Sequence, residues 1–331
     1  MATLKDIAQR AGVTATTVSR VINNRGYISE GTRKKVYAAM EEMHYQPNEL
    51  ARAFSKQYTN TIGLIVPHIS HPFFTKVISN IESSAAEKGF KLLLCNSKEQ
   101  PEKEQDYLDM CMSNRVAGIV LCSKYVQTRE FRKMNIPVVN LERGGDDDTI
   151  SVQCDNYQGG KLAAEHLIEC GCKNLLHFGG VAGKDMPADR RADGFSDVCK
   201  KAGIPYRILV SDRLQYGSMH YEDFIRRALQ EFPDVDGIFA SSDLIASQVI
   251  QVGAQMGKRV PEDIQLIGFD DVMISTVTTP QITTIHQPVE EMTELCVEYI
   301  AKSLKNESVP QKIVLPVRLV QRGTTVLKTE I

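Results

Sequence analysis

From Thr61 onward, short apolar runs alternate with longer amphipathic stretches, and that rhythm leaves few folds open. TIGLIV (61–66), KLLLCN (91–96), GIVLCS (118–123) and PVVNLE (137–142) are too short for buried helices and read as buried strands. The stretches 73–88 and 101–114 between the first of them carry helical periodicity. After SVQCD (151–155) the rhythm resumes with NLLHFGG (174–180), RILVSD (207–212), GIFASS (237–242) and IQLIGF (264–269), with helices expected near 158–170, 188–202, 217–231 and 243–256. Strands buried on both faces and separated by helices imply parallel sheets covered by helices on each side. Two such runs imply two similar α/β lobes with a cleft between them. A helix near 289–304 and the strands KIVLP and VRLVQ return to complete the lobes.

Open parallel sheets bind ligands at the carboxyl ends of their strands, and here those ends are polar. HISHPFF (68–74) sets Phe73 and Phe74 after the first strand, and Glu142-Arg143 follows the fourth. Arg191 opens RADGF, Ser242-Asp243 follows GIFAS, Asp270-Asp271 follows LIGF, and His286-Gln287 follows TTI. Aromatic rings can cover the C–H face of a sugar, while carboxylates and guanidinium forks bond paired hydroxyls. Tyr216 is a further candidate, as a lid aromatic.

Residues 1–58 are of another kind. They hold nine Lys/Arg against five Asp/Glu, a net charge of +4 that leaves −6 for the rest of the chain. A basic head on an acidic body suits a polyanionic partner. Thr3 can cap a helix through Ala11 with Leu4, Ile7, Ala8 and Ala11 on one stripe. Gly12 supplies a turn, Val13 plugs the corner, and Thr14 caps a second helix to about Asn23. The spacing of Ala8, Gly12, Val18 and Val21 is that of a helix-turn-helix. It leaves Ala15, Thr16, Thr17, Ser19, Arg20 and Asn23 outside, a short, hydroxyl-rich face able to enter a major groove. A third helix from near Ser29 or Thr32 to about His44 closes the core through Val36, Ala39, Met40 and Met43. Pro47 ends it, and Asn48 can cap a short helix, 49–55, with Leu50, Ala51 and Phe54 on one face. So short a helix is marginal in water and needs a partner to order it.

TLKDIAQRAGVTATTVSRVINN, with GTRKKV and HYQPNELARAF behind it, resembles the head of the lactose-repressor (LacI/GalR) family, and the resemblance runs through the whole chain. It implies an all-α helix-turn-helix head (1–46), a hinge helix and linker (47–60), and a two-lobed, periplasmic-binding-protein-like α/β core (61–331) that binds effector and dimerises. The lobes would comprise about 61–157 with 289–320, and about 158–288 with 321–331. By the same resemblance Ala15, Thr16 and Arg20 read bases, Thr14, Thr17, Ser19, Asn23 and Thr32 meet the backbone, and the hinge enters the minor groove. Leu50 joins the DNA-facing set there, and Phe54 stands as a bulky wedge where relatives usually have Leu. Ligand contact is carried onto Phe73, Phe74, Glu142, Arg143, Arg191, Ser242, Asp270 and Gln287. Ser242 replaces an Asn of many relatives, and Glu142 replaces the commoner Asp. The implied protein is a repressor-like regulator, a homodimer on operator DNA answering to a sugar such as ribose, fructose or sucrose, with no cofactor.

The rival readings are a sugar-modifying enzyme or a transport-type sugar-binding protein, and both leave the basic head unexplained. GGVAGKD (179–185) is too short in its glycine spacing for a phosphate loop, and Asp185 stands where Ser or Thr is needed. The eight cysteines contain no C-x-x-C pair, the start MATLKDIAQR lacks an apolar signal core, and Pro, His and Asn interrupt the uncharged stretch 57–75. These features point to a cytoplasmic chain with reduced thiols and no membrane span.

Overall fold

The computed structural model describes residues 2–23, 25–45, 58–123, 136–143, 149–181 and 186–327. The hinge expectation, including Leu50 and Phe54, lies outside the described residues. Two compact units, 1–59 and 60–331, divide the chain.

In the first unit α1 (Leu4–Ala11), α2 (Ala15–Ile22) and α3 (Glu30–Glu42) surround a core of Ile7, Ala8, Ala11, Val18, Val21, Val36 and Ala39. Each start is capped locally. Thr3 and Asp6 form a reciprocal capping box, while Thr14 Oγ1 and Ser29 Oγ accept from the amides of Thr17 and Thr32. Gly12 ends α1 at φ +65°, a left-handed conformation that a side chain would strain. Arg10 forks onto Glu42, with Nε–Oε2 at 2.9 Å and Nη2–Oε1 at 2.7 Å, tying α1 to the end of α3.

The second unit opens with β1 (Thr61–Val66), α4 (Pro72–Glu87), β2 (Lys91–Asn96), α5 (Pro101–Ser113), β3 (Gly118–Leu121), β4 (Val138–Leu141) and β5 (Ile150–Cys154). There follow α6 (Asn156–Glu169), β6 (Leu175–Val181), a 3-10 turn (Pro187–Asp189), α7 (Arg190–Ala202), β7 (Tyr206–Ser211), α8 (Arg213–Ser218) and α9 (Glu222–Glu231). The chain then forms β8 (Gly237–Ala240), α10 (Asp243–Gln255), β9 (Gln265–Asp270), α11 (Ile274–Val277) and β10 (Thr283–His286). It finishes with α12 (Val289–Ser303), β11 (Lys312–Leu315) and β12 (Arg318–Val320).

Two six-stranded sheets result, ordered β11-β5-β4-β3-β1-β2 and β12-β10-β9-β8-β6-β7. Every pair is parallel except β10 with β12. Strand order reverses between β1 and β3 in one sheet and between β6 and β8 in the other. The chain crosses between sheets after β5, after β10 and after β11.

Two details depart from the sequence reading. The helix expected near 217–231 begins at Glu222, and a separate short helix, α8, precedes it and ends at Met219 with φ +62°. The first lobe was expected to hold 289–320. Arg318–Val320 instead pairs antiparallel with β10, so the last crossing comes between Leu315 and Arg318. α12 does stay with the first sheet, against α4 and β4.

No helix among the described residues is long and apolar enough to cross a membrane. All eight cysteines are free and buried.

Candidate functional site

The carboxyl ends of both sheets meet around a cavity of about 130 Å³. Phe73, Phe74, Glu142, Arg191, Tyr216, Ser242, Asp270 and Gln287 all line it, so eight of the nine ligand residues expected from the sequence come together. Arg143 does not line it. It follows the left-handed Glu142 and is buried, with Nη1 donating to Asn140 Oδ1 at 3.0 Å.

β1 leads through Pro67 to His71, whose Nδ1 accepts from the Phe73 amide at 3.3 Å and caps α4. Burial pushes the His71 imidazole down to about 4, with the nearby charges of His68 and Arg191 adding to the effect, so it faces the cavity uncharged. Phe73 and Phe74, in the first turn of α4, pack edge to face with centroids 5.2 Å apart. His68 and Tyr216 meet edge to face across the two lobes, centroids 5.5 Å apart.

Three non-glycine residues at strand ends here hold left-handed backbone: Glu142 at φ +49°, Asp270 at φ +110° and Asp271 at φ +54°. Such strain costs of order 1–3 kcal/mol at each position and persists only where surrounding contacts enforce it. Those contacts are present. Glu142 accepts from the Cys154 amide and from Asn156 Nδ2. Asp270 accepts from Gln287 Nε2 at 2.6 Å. Asp271 takes Arg322 Nη2 at 2.6 Å and His286 Nδ1 at 2.8 Å. Burial would raise the Asp271 carboxyl, but Arg322 and His286 outweigh it and hold it below its ordinary value.

Arg191 sits in the first turn of α7. Its guanidinium carbon lies 3.5 Å from the centroid of the Phe269 ring, its Nε donates to Asn156 Oδ1 at 2.7 Å, and its Nη1 donates to the Ser241 carbonyl at 2.6 Å. Asn156 therefore bonds Glu142 of one lobe and Arg191 of the other through a single amide. The sequence reading passed over Asn156, Ser123 and His71. Asn156 looks like an ordinary first helical residue after Asp155, and no spacing rule connects it to two strand ends.

Two buried cavity-lining atoms have no partner among the described residues: Gln287 Oε1 and Ser123 Oγ. Because Gln287 Nε2 faces a carboxylate, its Oε1 is the atom left to accept. Burial pushes the Asp270 carboxyl up to about 7, against the opposing pull of Arg191 and the Gln287 hydrogen bond. Ser242 serves the fold as well, since its Oγ accepts from the Ile245 amide at 3.2 Å and caps α10. Its neighbour Asp243 does not line the cavity and accepts from the Val272 amide at 2.9 Å and Thr284 Oγ1 at 2.6 Å. Among the described residues no group of three His, Cys, Asp or Glu side chains is placed to hold a metal ion.

In the other unit, Thr14, Thr16 and Arg20 are exposed on and before α2, and Ala15, Thr17, Ser19, Asn23 and Thr32 are half-buried. Thr14 and Thr17 share a hydroxyl contact of 2.9 Å, and Asn23 Nδ2 donates to the Ser19 carbonyl at 2.8 Å. These residues therefore shape the helix ends and still present hydroxyl and amide groups outward. Arg20 alone of this set brings a charge.

Residues 3–48 match the family described as bacterial regulatory proteins, lacI family, and residues 164–325 match a periplasmic binding protein-like domain. The chain is 33% identical over 326 residues to the ribose operon repressor of Halalkalibacterium halodurans, covering 98% of this chain and 97% of that one. A periplasmic binding protein/LacI transcriptional regulator from Alkaliphilus metalliredigens, solved with D-xylulofuranose, superimposes with a TM-score of 0.73 at 32% identity, covering 81% of this chain and all of that one. The lac repressor dimer bound to operator and the anti-inducer ONPF matches with a TM-score of 0.83 at 25% identity, over 98% of this chain and 99% of that one. With a helix-turn-helix head, a two-sheet core and identity sustained along nearly its whole length, the chain belongs to the lacI family of bacterial regulatory proteins.

Proposed function

We propose that this protein is a cytoplasmic, homodimeric repressor whose head (1–46) and hinge (47–60) hold operator DNA and whose core answers to a small sugar. The observation that carries the reading is the cavity itself. At the switch points of two parallel sheets stand a neutral aromatic wall, a guanidinium fork, two buried carboxyl groups and an unsatisfied amide oxygen. Rings cover C–H faces, and the polar groups bond hydroxyls in a fixed orientation. The relatives support the same reading, one named for a ribose operon and one solved with a ketopentose. The matching family is one of bacterial regulatory proteins, which supports a regulator over an enzyme.

Sugar binding and DNA binding are then linked. A coupling of about 1–3 kcal/mol shifts operator affinity roughly 5–150-fold, and the DNA shifts sugar affinity by the same factor. Arg20→Ala tests the head. Its fork suits the two acceptors of guanine, so its loss is expected to weaken binding to a duplex selected from a random pool by about 1–3 kcal/mol. Binding to bulk DNA and to sugar should stay within about twofold. Fluorescence anisotropy reads the first and calorimetry the second; equal loss on selected and bulk DNA would remove Arg20 from base reading.

The cavity also sets a pH dependence. Ligand hydroxyls donate to an ionised Asp270 carboxylate, which exists above a value of about 7. Sugar affinity is therefore expected to level off above about pH 8 and to fall up to about tenfold per unit below 7. Calorimetric titrations with ribose or fructose across that range check it. A flat profile would mean that Asp270 is not an acceptor for the ligand.

A further inference from the structure

We propose that Asn156, which does not itself line the cavity, is the positioning residue that holds Glu142 and Arg191 as one sugar-binding pair across the lobe boundary. The proposal rests on the sugar reading above and deepens it. Asn156 is the first residue of α6, directly after β5 and at the chain's first crossing between the sheets. Asp155 caps that helix by accepting from the Gln158 amide at 2.9 Å, which fixes where the Asn156 side chain starts. Asn156 is 3% exposed, and both ends of its amide are engaged. Nδ2 donates to Glu142 Oε2 at 3.0 Å and to the Cys154 carbonyl at 3.2 Å, and Oδ1 accepts from Arg191 Nε at 2.7 Å.

The polarity of these partners permits one orientation of the amide. Turned over, it would set its oxygen against the Glu142 carboxylate and its nitrogen against the guanidinium, pairing acceptor with acceptor and donor with donor. In the orientation observed it stands between a carboxylate and a guanidinium that would otherwise be free to pair directly. Kept apart, neither is used up. Glu142 Oε1 and Oε2 accept from the Cys154 amide and from Asn156, and each oxygen keeps a second lone pair. Arg191 spends Nε on Asn156 and Nη1 on the Ser241 carbonyl, with its face on Phe269, and Nη2 has no partner among the described residues. Both residues line the cavity, so one amide fixes an acceptor of one lobe and a donor of the other around the same space.

The experiment exchanges the polarity of that contact. Asn156→Asp sets two carboxylates against each other where Nδ2 and Oε2 now lie 3.0 Å apart. Glu142→Gln sets amide against amide and breaks one bond in either orientation. Combined, Asn156→Asp/Glu142→Gln is complementary again. The amide nitrogen introduced at position 142 donates to the carboxylate introduced at position 156, its oxygen accepts from the Cys154 amide, and the carboxylate takes Arg191 Nε. The Cys154 carbonyl loses its donor in Asn156→Asp and in the double variant alike, so that cost cancels between them. The full-length native protein and the three variants are titrated calorimetrically at about pH 8 with ribose and with fructose, with calorimetric unfolding alongside. Asn156→Asp is expected to weaken binding of the sugar that the native protein takes by at least about tenfold, and the double variant to bind it at least about tenfold more tightly than Asn156→Asp. Two substitutions that merely damaged the fold would add, and the double variant would then be the weakest of the four. An Asn156→Asp protein that binds sugar as the native one does overturns the proposal and leaves the sugar reading standing. So does a double variant, folded or not, whose affinity is no better than that of Asn156→Asp. Native protein that binds neither sugar removes the sugar reading and the proposal with it.

Discussion

Arg191→Ala is expected to reduce sugar affinity by about 100-fold or more. The guanidinium is buried, stacked on Phe269, and bonded to Asn156 and the Ser241 carbonyl. Removing it leaves Asn156 Oδ1 and the Ser241 carbonyl without that donor, and it takes the cation away from Asp270 and Glu142. Breaking one side of a buried charged arrangement costs roughly 3–5 kcal/mol, and each hydrogen bond to a charged group is worth roughly 1.5–3 kcal/mol. Arg191→Lys should recover little, because an ammonium lacks the planar fork that reaches two acceptors while lying on a ring. A second readout separates this from general damage. Arg191 holds the Asp270 carboxyl down, so any residual affinity should rise with pH through a midpoint above 7. A variant that binds sugar like the native protein, or whose midpoint stays put, would show that Arg191 does not organise the cleft.

Gly160→Ala should cost the core about 4 kcal/mol or more, an effect of the size seen when a substitution has no room at all. α6 and α7 cross so closely that a Cβ on Gly160 would stand 1.9 Å from the Arg191 carbonyl oxygen, and one on Gly194 would stand 2.0 Å from the Tyr157 carbonyl oxygen. Backbone cannot step aside as a side-chain tip can, so the helices must separate. A loss of that size lowers the core's melting temperature by roughly 8 °C or more. Because Arg191 is itself the residue struck, sugar affinity should fall together with stability. Gly31→Ala is the matched control: it lies in α3 with open space around its Cβ position, and there alanine should be neutral or stabilise by up to about 1 kcal/mol. Calorimetric unfolding of the three proteins checks the pair. A Gly160→Ala core that melts with the native one would mean that the crossing is looser than drawn.

These two glycines show where reading along the chain stops. The head was legible almost residue by residue, since its caps (Thr3, Thr14, Ser29), its turn (Gly12) and its apolar stripe are local features that act within four residues of themselves. Strand and helix bounds in the core were legible for a similar reason, because burial on two faces writes an apolar run. The start of α9 was placed too early because Met219, an unlikely residue for a left-handed turn, carries no turn signal.

The cleft was half legible. Strand ends are where open parallel sheets bind, and eight of the nine ligand residues expected there do line the cavity. Arg143 does not line it, and adjacency in sequence says nothing about which way a side chain turns. What the chain's letters decided alone is therefore its architecture: a capped helical reader, two parallel sheets and a ring of polar strand ends. Only the tertiary structure decided that Asn156 joins Glu142 to Arg191, that Gln287 keeps an unsatisfied oxygen beside Asp270, and that Gly160 and Gly194 let two helices touch. Those pairings link residues 14 to 37 positions apart, and the one through Asn156 joins the two lobes. They are set by how the sheets are juxtaposed, and no periodicity within one element encodes that distance.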